Sequence, residues 1–114
     1  MHEMSLAGGV LRLGEQACAR DPFGRVSRLT LQAGALAGVE VPALRFALDA
    51  IAPGTLLEGA EVHIDEPPAQ ALCPGCGQTV AIASRLDDCP LCGAAGLQPT
   101  GGTELKLGEL VVGD

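Results

Sequence analysis

Aromatic residues are almost missing from this 114-residue chain: it has no tryptophan, no tyrosine, and only Phe23 and Phe46. Without aromatic faces there is no platform on which nucleobases could stack. Positive charge is scarce too, with seven Lys and Arg against fourteen Asp and Glu and a formal net charge of −7. A chain of that sign repels phosphate and shows no basic stripe, so nucleic-acid binding is excluded. Only two histidines are present, His2 and His63, and no nucleophile–base pair can be argued, so no enzyme is expected. A phosphate-binding P-loop is absent, so nucleotide hydrolysis is not expected of this chain. No apolar run approaches the length of a membrane span. The N-terminus lacks the basic region and apolar stretch of an export signal, and a cytoplasmic location is expected, where thiols stay reduced.

Against these absences stand five cysteines. Four of them form two CxxC turns, CPGCG from Cys73 and Cys76 and CPLCG from Cys89 and Cys92, with twelve residues between the pairs. Each turn aims two thiolates at one centre, and two turns supply the four sulfurs of a tetrahedral site. The glycine after each second cysteine, Gly77 and Gly93, lets the backbone turn tightly there. Zn²⁺ suits a closed shell of four thiolates. Iron in a rubredoxin-like site also suits soft four-sulfur geometry, although the aromatic-rich core of rubredoxins is missing; two redox dithiols are the third reading. A closed shell leaves no position for a catalytic water. Cys18 is the odd cysteine, expected to pack as a small apolar side chain in a helix.

Apolar residues at Leu6, Ala7, Val10, Leu11, Leu13, Ala17 and Cys18 recur at helical spacing, predicting a helix over 4–19 that Gly8, Gly9 and Gly14 weaken. Asp21 to Gly24 reads as a turn and Val26 to Ala33 as a strand with Leu29, Leu31 and Ala33 on one face. Pro42 opens a second helix lined by Leu44, Leu48 and Ile51, which stops at Pro53-Gly54. Ala60 to Asp65 alternates as a strand. Pro67-Pro68 and residues 99–102 read as stiff arms flanking the cysteine region, with a short strand inside it at 78–83. The closing strand, 103–112, changes phase between Leu107 and Leu110, predicting a β-bulge near Gly108. Asp87 and Asp88 read as solvated loop positions. The order predicts an α+β protein: a small domain of two helices and a three-stranded sheet, residues 1–70 and 100–114, into which a Cys₄ zinc-ribbon module, residues 71–99, is inserted. A core this small implies that the metal contributes folding free energy.

The chain begins Met1-His2-Glu3. The terminal amine, the His2 backbone nitrogen and His2 Nδ1 can close fused chelate rings on one metal, and three coplanar nitrogens suit square-planar Ni(II) or Cu(II). Glu3 could complete such a site. Equally, His2 is a solvated terminal residue and Glu3 a favourable charge at a helix N-terminus. His63 reads as a solvated histidine on the polar face of a strand, with accessory metal binding as the alternative.

Taken together, the opening MHEMSL, the segment EVHIDEPPAQALCPGCG from Glu61, the second turn CPLCG and the closing TGGTELKLGELVV resemble the HypA/HybF family of nickel-delivery proteins in NiFe-hydrogenase maturation. The resemblance runs through the whole chain in the same order. It implies a metallochaperone in which His2, with Met1 and Glu3, binds Ni²⁺ as transferable cargo, while Cys73, Cys76, Cys89 and Cys92 hold one structural Zn²⁺. It also implies partners: a HypB-type nickel-binding GTPase, the precursor of the hydrogenase large subunit, and in some bacteria the urease maturation proteins. No histidine follows His63, so a pH-driven exchange of zinc ligands is not expected here. A monomer or weak dimer is expected, with domain swapping through the closing strand as a route to the latter. A zinc-ribbon adaptor without nickel cargo is the competing reading.

Overall fold

The computed structural model describes residues 3–113. Helix α1 runs from Glu3 to Arg20, with Glu3 in its first turn and Arg20 in its last, each charge complementing the helix dipole. Ala7, Val10 and Gly14 are its buried positions, three and four residues apart, and this stripe faces the second helix. Leu13, one of the apolar residues at helical spacing, is 45% exposed. Strand β1, Arg25–Ala33, buries Val26, Leu29, Leu31 and Ala33. Helix α2, Val41–Ile51, has Pro42 in its first turn and buries Leu44, Ala47 and Leu48; Ile51 is only half-buried, so Ala47 takes the inner place expected of it. Strand β2, Glu61–Asp65, alternates as expected, with Val62 and Ile64 turned inward.

Four shorter or later strands complete the chain: β3 (Ala69–Leu72), β4 (Thr79–Ile82), β5 (Gln98–Gly101) and β6 (Leu105–Gly113). They form two three-stranded sheets, ordered β2-β1-β6 and β4-β3-β5. The strands on either side of the cysteine region, β2 and β6, thus share a sheet as expected, but β1 lies between them. In the second sheet β3 is the central strand and antiparallel to both neighbours, with Ala71 opposite Val80 on one side and Pro99 on the other, and a bulge between Gln70 and Ala71. The two proline-flanked arms therefore hold regular strands. Pairing with β3, not local propensity, makes a strand of Gln98-Pro99-Thr100-Gly101.

Burial along β6 loses its alternation where the phase change was expected: Gly108 and Glu109 are both exposed, then Leu110 and Val111 both half-buried. The alternation of β1 breaks at Ser27 and Arg28, and Arg28 pairs with Glu109 at 3.4 Å, so the two irregularities face each other. Val112 does not join the inner face; it is 45% exposed.

The chain divides into two compact units. One comprises Met1–Leu31, Val39–Ile64 and Leu107–Asp114, and holds both helices around Val10, Val26, Leu29, Leu44 and Leu48. The other comprises Gln32–Gly38 and Asp65–Lys106 and holds the second sheet and the four paired cysteines. Among the described residues no helix is long and apolar enough to cross a membrane.

Candidate metal centre

Cys73 directly follows β3, so the sheet delivers it fully buried into the core of the second unit. Its N–H donates to the Gln78 carbonyl at 2.9 Å, and the Gly77 N–H donates to the Cys73 carbonyl at 2.8 Å. The second turn repeats both bonds: the Cys89 N–H donates to the Ala94 carbonyl at 2.9 Å and the Gly93 N–H to the Cys89 carbonyl at 2.8 Å. Gly77 and Gly93 sit at φ +74 and +77, where a side chain would strain the backbone. The same five-residue pattern thus builds the same turn twice.

The two turns bring all four thiols together. Their Sγ atoms lie within 4.8 Å of one another, with Cys73 and Cys92 at 3.6 Å and Cys76 and Cys89 at 3.9 Å. A tetrahedron with Zn–S bonds near 2.3 Å has sulfur–sulfur edges of about 3.8 Å. The two measured edges bracket that value, so the cluster fits a zinc ion.

Its members differ in surroundings. Cys73 and Cys89 are buried, Cys76 is half-buried and Cys92 exposed. The Cys89 thiol is lowered to about 7, first by the Cys92 backbone N–H and then by that of Leu91, which lies 3.4 Å from the sulfur. Cys92 behaves in the opposite way. The Ala94 backbone favours its thiolate, but Cys73 and the loss of solvent outweigh that and push it up to about 12. Cys76 is also raised: desolvation and its neighbours Cys73 and Cys89 outweigh the backbone bond at Gln78. Four thiolates cannot share this centre without a cation.

A pH dependence follows. Bound metal requires deprotonated thiols, whereas the free cluster holds Cys76 and Cys92 as thiols and Cys89 near half-ionised at neutral pH. Metal uptake near pH 7 is therefore expected to release at least two protons per chain, those of Cys76 and Cys92, with part of a third from Cys89, and affinity should fall as pH falls. Calorimetry in buffers of different ionisation enthalpy checks this. Release of one proton or none would contradict the four-thiolate site.

Two supporting residues escaped the reading of the sequence. Gly75, inside CPGCG, could not carry a side chain, because its Cβ would lie 2.9 Å from that of Ala94; the corresponding Leu91 of CPLCG is 66% exposed. Asp87, read as a solvated loop carboxylate, instead accepts the Ala83 and Ser84 N–H groups at 2.9 and 3.2 Å and organises the approach to Cys89. An Asp three residues after Ser84 was the available signal.

Elsewhere, Glu3 is the first residue of α1 and half-buried, while Met1 and His2 lie outside the described residues. His63 is on β2, with Nε2 3.2 Å from the Glu61 carboxylate. The Cys18 thiol is half-buried in α1 and donates to the Phe23 carbonyl at 3.2 Å.

Residues 1–112 match the family described as hydrogenase/urease nickel incorporation, metallochaperone, hypA. The chain belongs to the HypA family. Membership makes it a nickel-incorporation metallochaperone and a maturation factor, not an enzyme. Among its relatives, the hydrogenase maturation factor HypA of Polaromonas naphthalenivorans is 55% identical over 114 residues, covering 100% of this chain and 99% of that one. The HypA of Cupriavidus necator is 56% identical over 114 residues, covering 100% and 96%. The solution structure of the Ni metallochaperone HypA from Helicobacter pylori aligns over 99% of this chain and 98% of its own, with a TM-score of 0.73 at 18% identity. A second HypA solution structure aligns with a TM-score of 0.69 at 20% identity, covering 98% and 96%. At those identities the likeness concerns the fold, and it is the α+β arrangement with a four-cysteine cluster that the sequence predicts.

Proposed function

We propose that this HypA-family chain binds Ni(II) through the Met1 amine, the His2 backbone nitrogen and His2 Nδ1, with Glu3 supporting the site, and delivers it to the precursor of the hydrogenase large subunit. The observation that carries this reading is that the family match begins at residue 1 and so includes Met1-His2-Glu3. Helix chemistry supports it. The first N–H groups of an α-helix have no acceptor within the helix. α1 begins at Glu3, so a metal can replace an amide proton at that end without breaking the helical ladder. The positive end of the helix dipole opposes a bound cation and Glu3 offsets it in part. That balance suits a metal held for transfer.

In the same reading Cys73, Cys76, Cys89 and Cys92 hold a structural Zn²⁺, which stabilises the second unit while the helix-bearing unit carries the cargo. A HypB-type GTPase supplies the nucleotide hydrolysis that this chain has no P-loop to perform, and urease maturation proteins are further recipients. A reducing cytoplasm keeps the thiols available.

Nickel titration of the untagged, zinc-loaded protein tests the proposal, beside His2→Ala and a variant with one residue added before Met1. Both changes break the fused chelate and are expected to weaken nickel binding by about a hundredfold or more, roughly 2.8 kcal/mol, with zinc content unchanged. Parent-like nickel affinity in both variants would leave a zinc-ribbon adaptor as the better description.

A further inference from the structure

Within the helix-bearing unit, a cavity of about 250 Å³ opens beside the end of α2. Leu48 and Leu57, 2% and 4% exposed, form an apolar floor, and the exposed Asp49 and Glu58 stand on its rim. The backbone adds charge of the same sign. α2 ends at Ile51 with no basic residue in its last turn, so the partial negative charge of its carbonyl end, about half an elementary charge, meets no side-chain cation there. Neither Asp49 nor Glu58 has an ion-pair partner among the described residues. The nearest cation along the helix, Arg45, is not itself a lining residue; its guanidinium is engaged at 2.7 Å on the carbonyl of Val62, which does line the cavity. Two carboxylates and a helix end therefore stand around an apolar floor with no Lys or Arg among its lining residues, the one neighbouring guanidinium being held by the Val62 carbonyl.

Size decides the class of occupant. Sites that enclose small molecules run to about 300–1,000 Å³, so this cavity is too small for a nucleotide or an organic cofactor. It is large enough for one long side chain. Arginine satisfies each part of it: the aliphatic stem lies on Leu48 and Leu57 while the planar guanidinium reaches the rim carboxylates. The net charge of −7 also draws basic surfaces toward the chain over longer range.

We propose that the cavity beside the C-terminal end of α2 is a docking pocket for an arginine side chain presented by a partner protein. The assignment stands apart from the metals the chain carries, so its failure would leave the nickel reading untouched.

The test uses the zinc-loaded full chain, labelled with ¹⁵N, titrated with N-acetyl-arginine N-methylamide as the stand-in for a partner's side chain. Saturable shifts are expected at the amides of Asp49, Gly59, Ala60 and Val62, and none with the corresponding glutamate compound. Asp49→Asn combined with Glu58→Gln keeps the shape of both exposed side chains and should weaken binding by about tenfold or more, while an otherwise unchanged spectrum reports an intact fold. Equal shifts with the glutamate compound, unchanged affinity in the double variant, or no saturable shift at all would each overturn the proposal. Tighter binding of free arginine than of the capped form would overturn it in favour of an amino-acid site.

Discussion

Cys73→Ser is expected to abolish metal binding and unfold the second unit in the same step. The hydrophobic cluster of that unit contains six buried residues, Ala69, Ala71, Cys73, Val80, Ile82 and Cys89, and two of the six are proposed metal ligands. A core so small offers little burial free energy against the ordering entropy of the two turns and three short strands. Structural zinc supplies an apparent 10–16 kcal/mol in small domains, on the order of the total stability of a globular protein. Serine matches cysteine in shape but is a poor soft ligand, so the loss is one of coordination and not of packing. Metal analysis should find less than one zinc per chain, and amide exchange at Ala71 and Val80, which face each other across β3 and β4, should lose its protection. The helix-bearing unit contains none of the four paired cysteines and should keep its exchange protection at Val10, Leu29 and Leu44. Cys92→Ser removes a thiolate from the same four-sulfur cluster and is expected to lose the metal as well, although Cys92 is exposed and its change leaves the core packing intact. Cys18→Ser should retain the metal. A Cys73→Ser protein with full zinc content and parent-like exchange at Ala71 would remove the structural role from the cluster.

What could be read from the sequence divides by the range of the interaction. The paired cysteine turns were legible because all their chemistry is local: CPGCG and CPLCG each contain two candidate ligands, the N–H donors and the glycine at positive φ. Both helices and β2 were legible because their apolar periods record one inner face, and β1 and β6 because their alternation holds on either side of a single break. β3 and β5 were not. Ala69-Gln70-Ala71-Leu72 follows two prolines and is short, and Gln98-Pro99-Thr100-Gly101 carries the residues of a turn; each becomes a strand through partners distant in sequence. The unequal burial of the four cysteines was equally hidden, since CxxC spacing is the same for the buried Cys89 and the exposed Cys92. Cys73 is buried because it continues β3, a strand that the residues themselves barely signal. The proposed N-terminal chelate is a different case: Met1-His2-Glu3 reads either as a chelate or as an ordinary chain end, and only the family context favours the first.

Gly34→Ala is expected to be among the most damaging single substitutions outside the cysteines, although nothing in the sequence around Gly34 marks it. A Cβ at position 34 would lie 2.5 Å from the Gly102 carbonyl carbon and 2.7 Å from its Cα, and closer still to its oxygen. Every one of these atoms is backbone, so no change of rotamer relieves the overlap. Gly102 is pinned from its other side: at φ +76, its own Cβ position is 2.5 Å from the Ala69 Cα. The segment after β1 is sewn to its surroundings at this point. The Gly34 N–H donates to the Glu104 carbonyl at 3.2 Å, the Leu36 N–H to the Gly102 carbonyl at 2.9 Å and the Ala35 N–H to the Pro67 carbonyl at 3.0 Å. A methyl group that forces Gly34 away from Gly102 strains the first two bonds directly, each worth about 1 kcal/mol, on top of an overpacking cost of about 1–3 kcal/mol. The expected loss is about 3–5 kcal/mol, measured by denaturant unfolding with amide exchange in the second unit as the probe. Two other glycines calibrate the result. Gly59→Ala at φ +76, with open space around it, should cost only the left-handed penalty of about 1–2 kcal/mol. Gly8→Ala, inside α1 and equally open, should instead stabilise by about 1 kcal/mol. If Gly34→Ala costs no more than Gly59→Ala, the close approach of Gly34 to Gly102 does not hold in solution, and the stretch from Gln32 to Gly38 packs less tightly in the second unit than the structure has it.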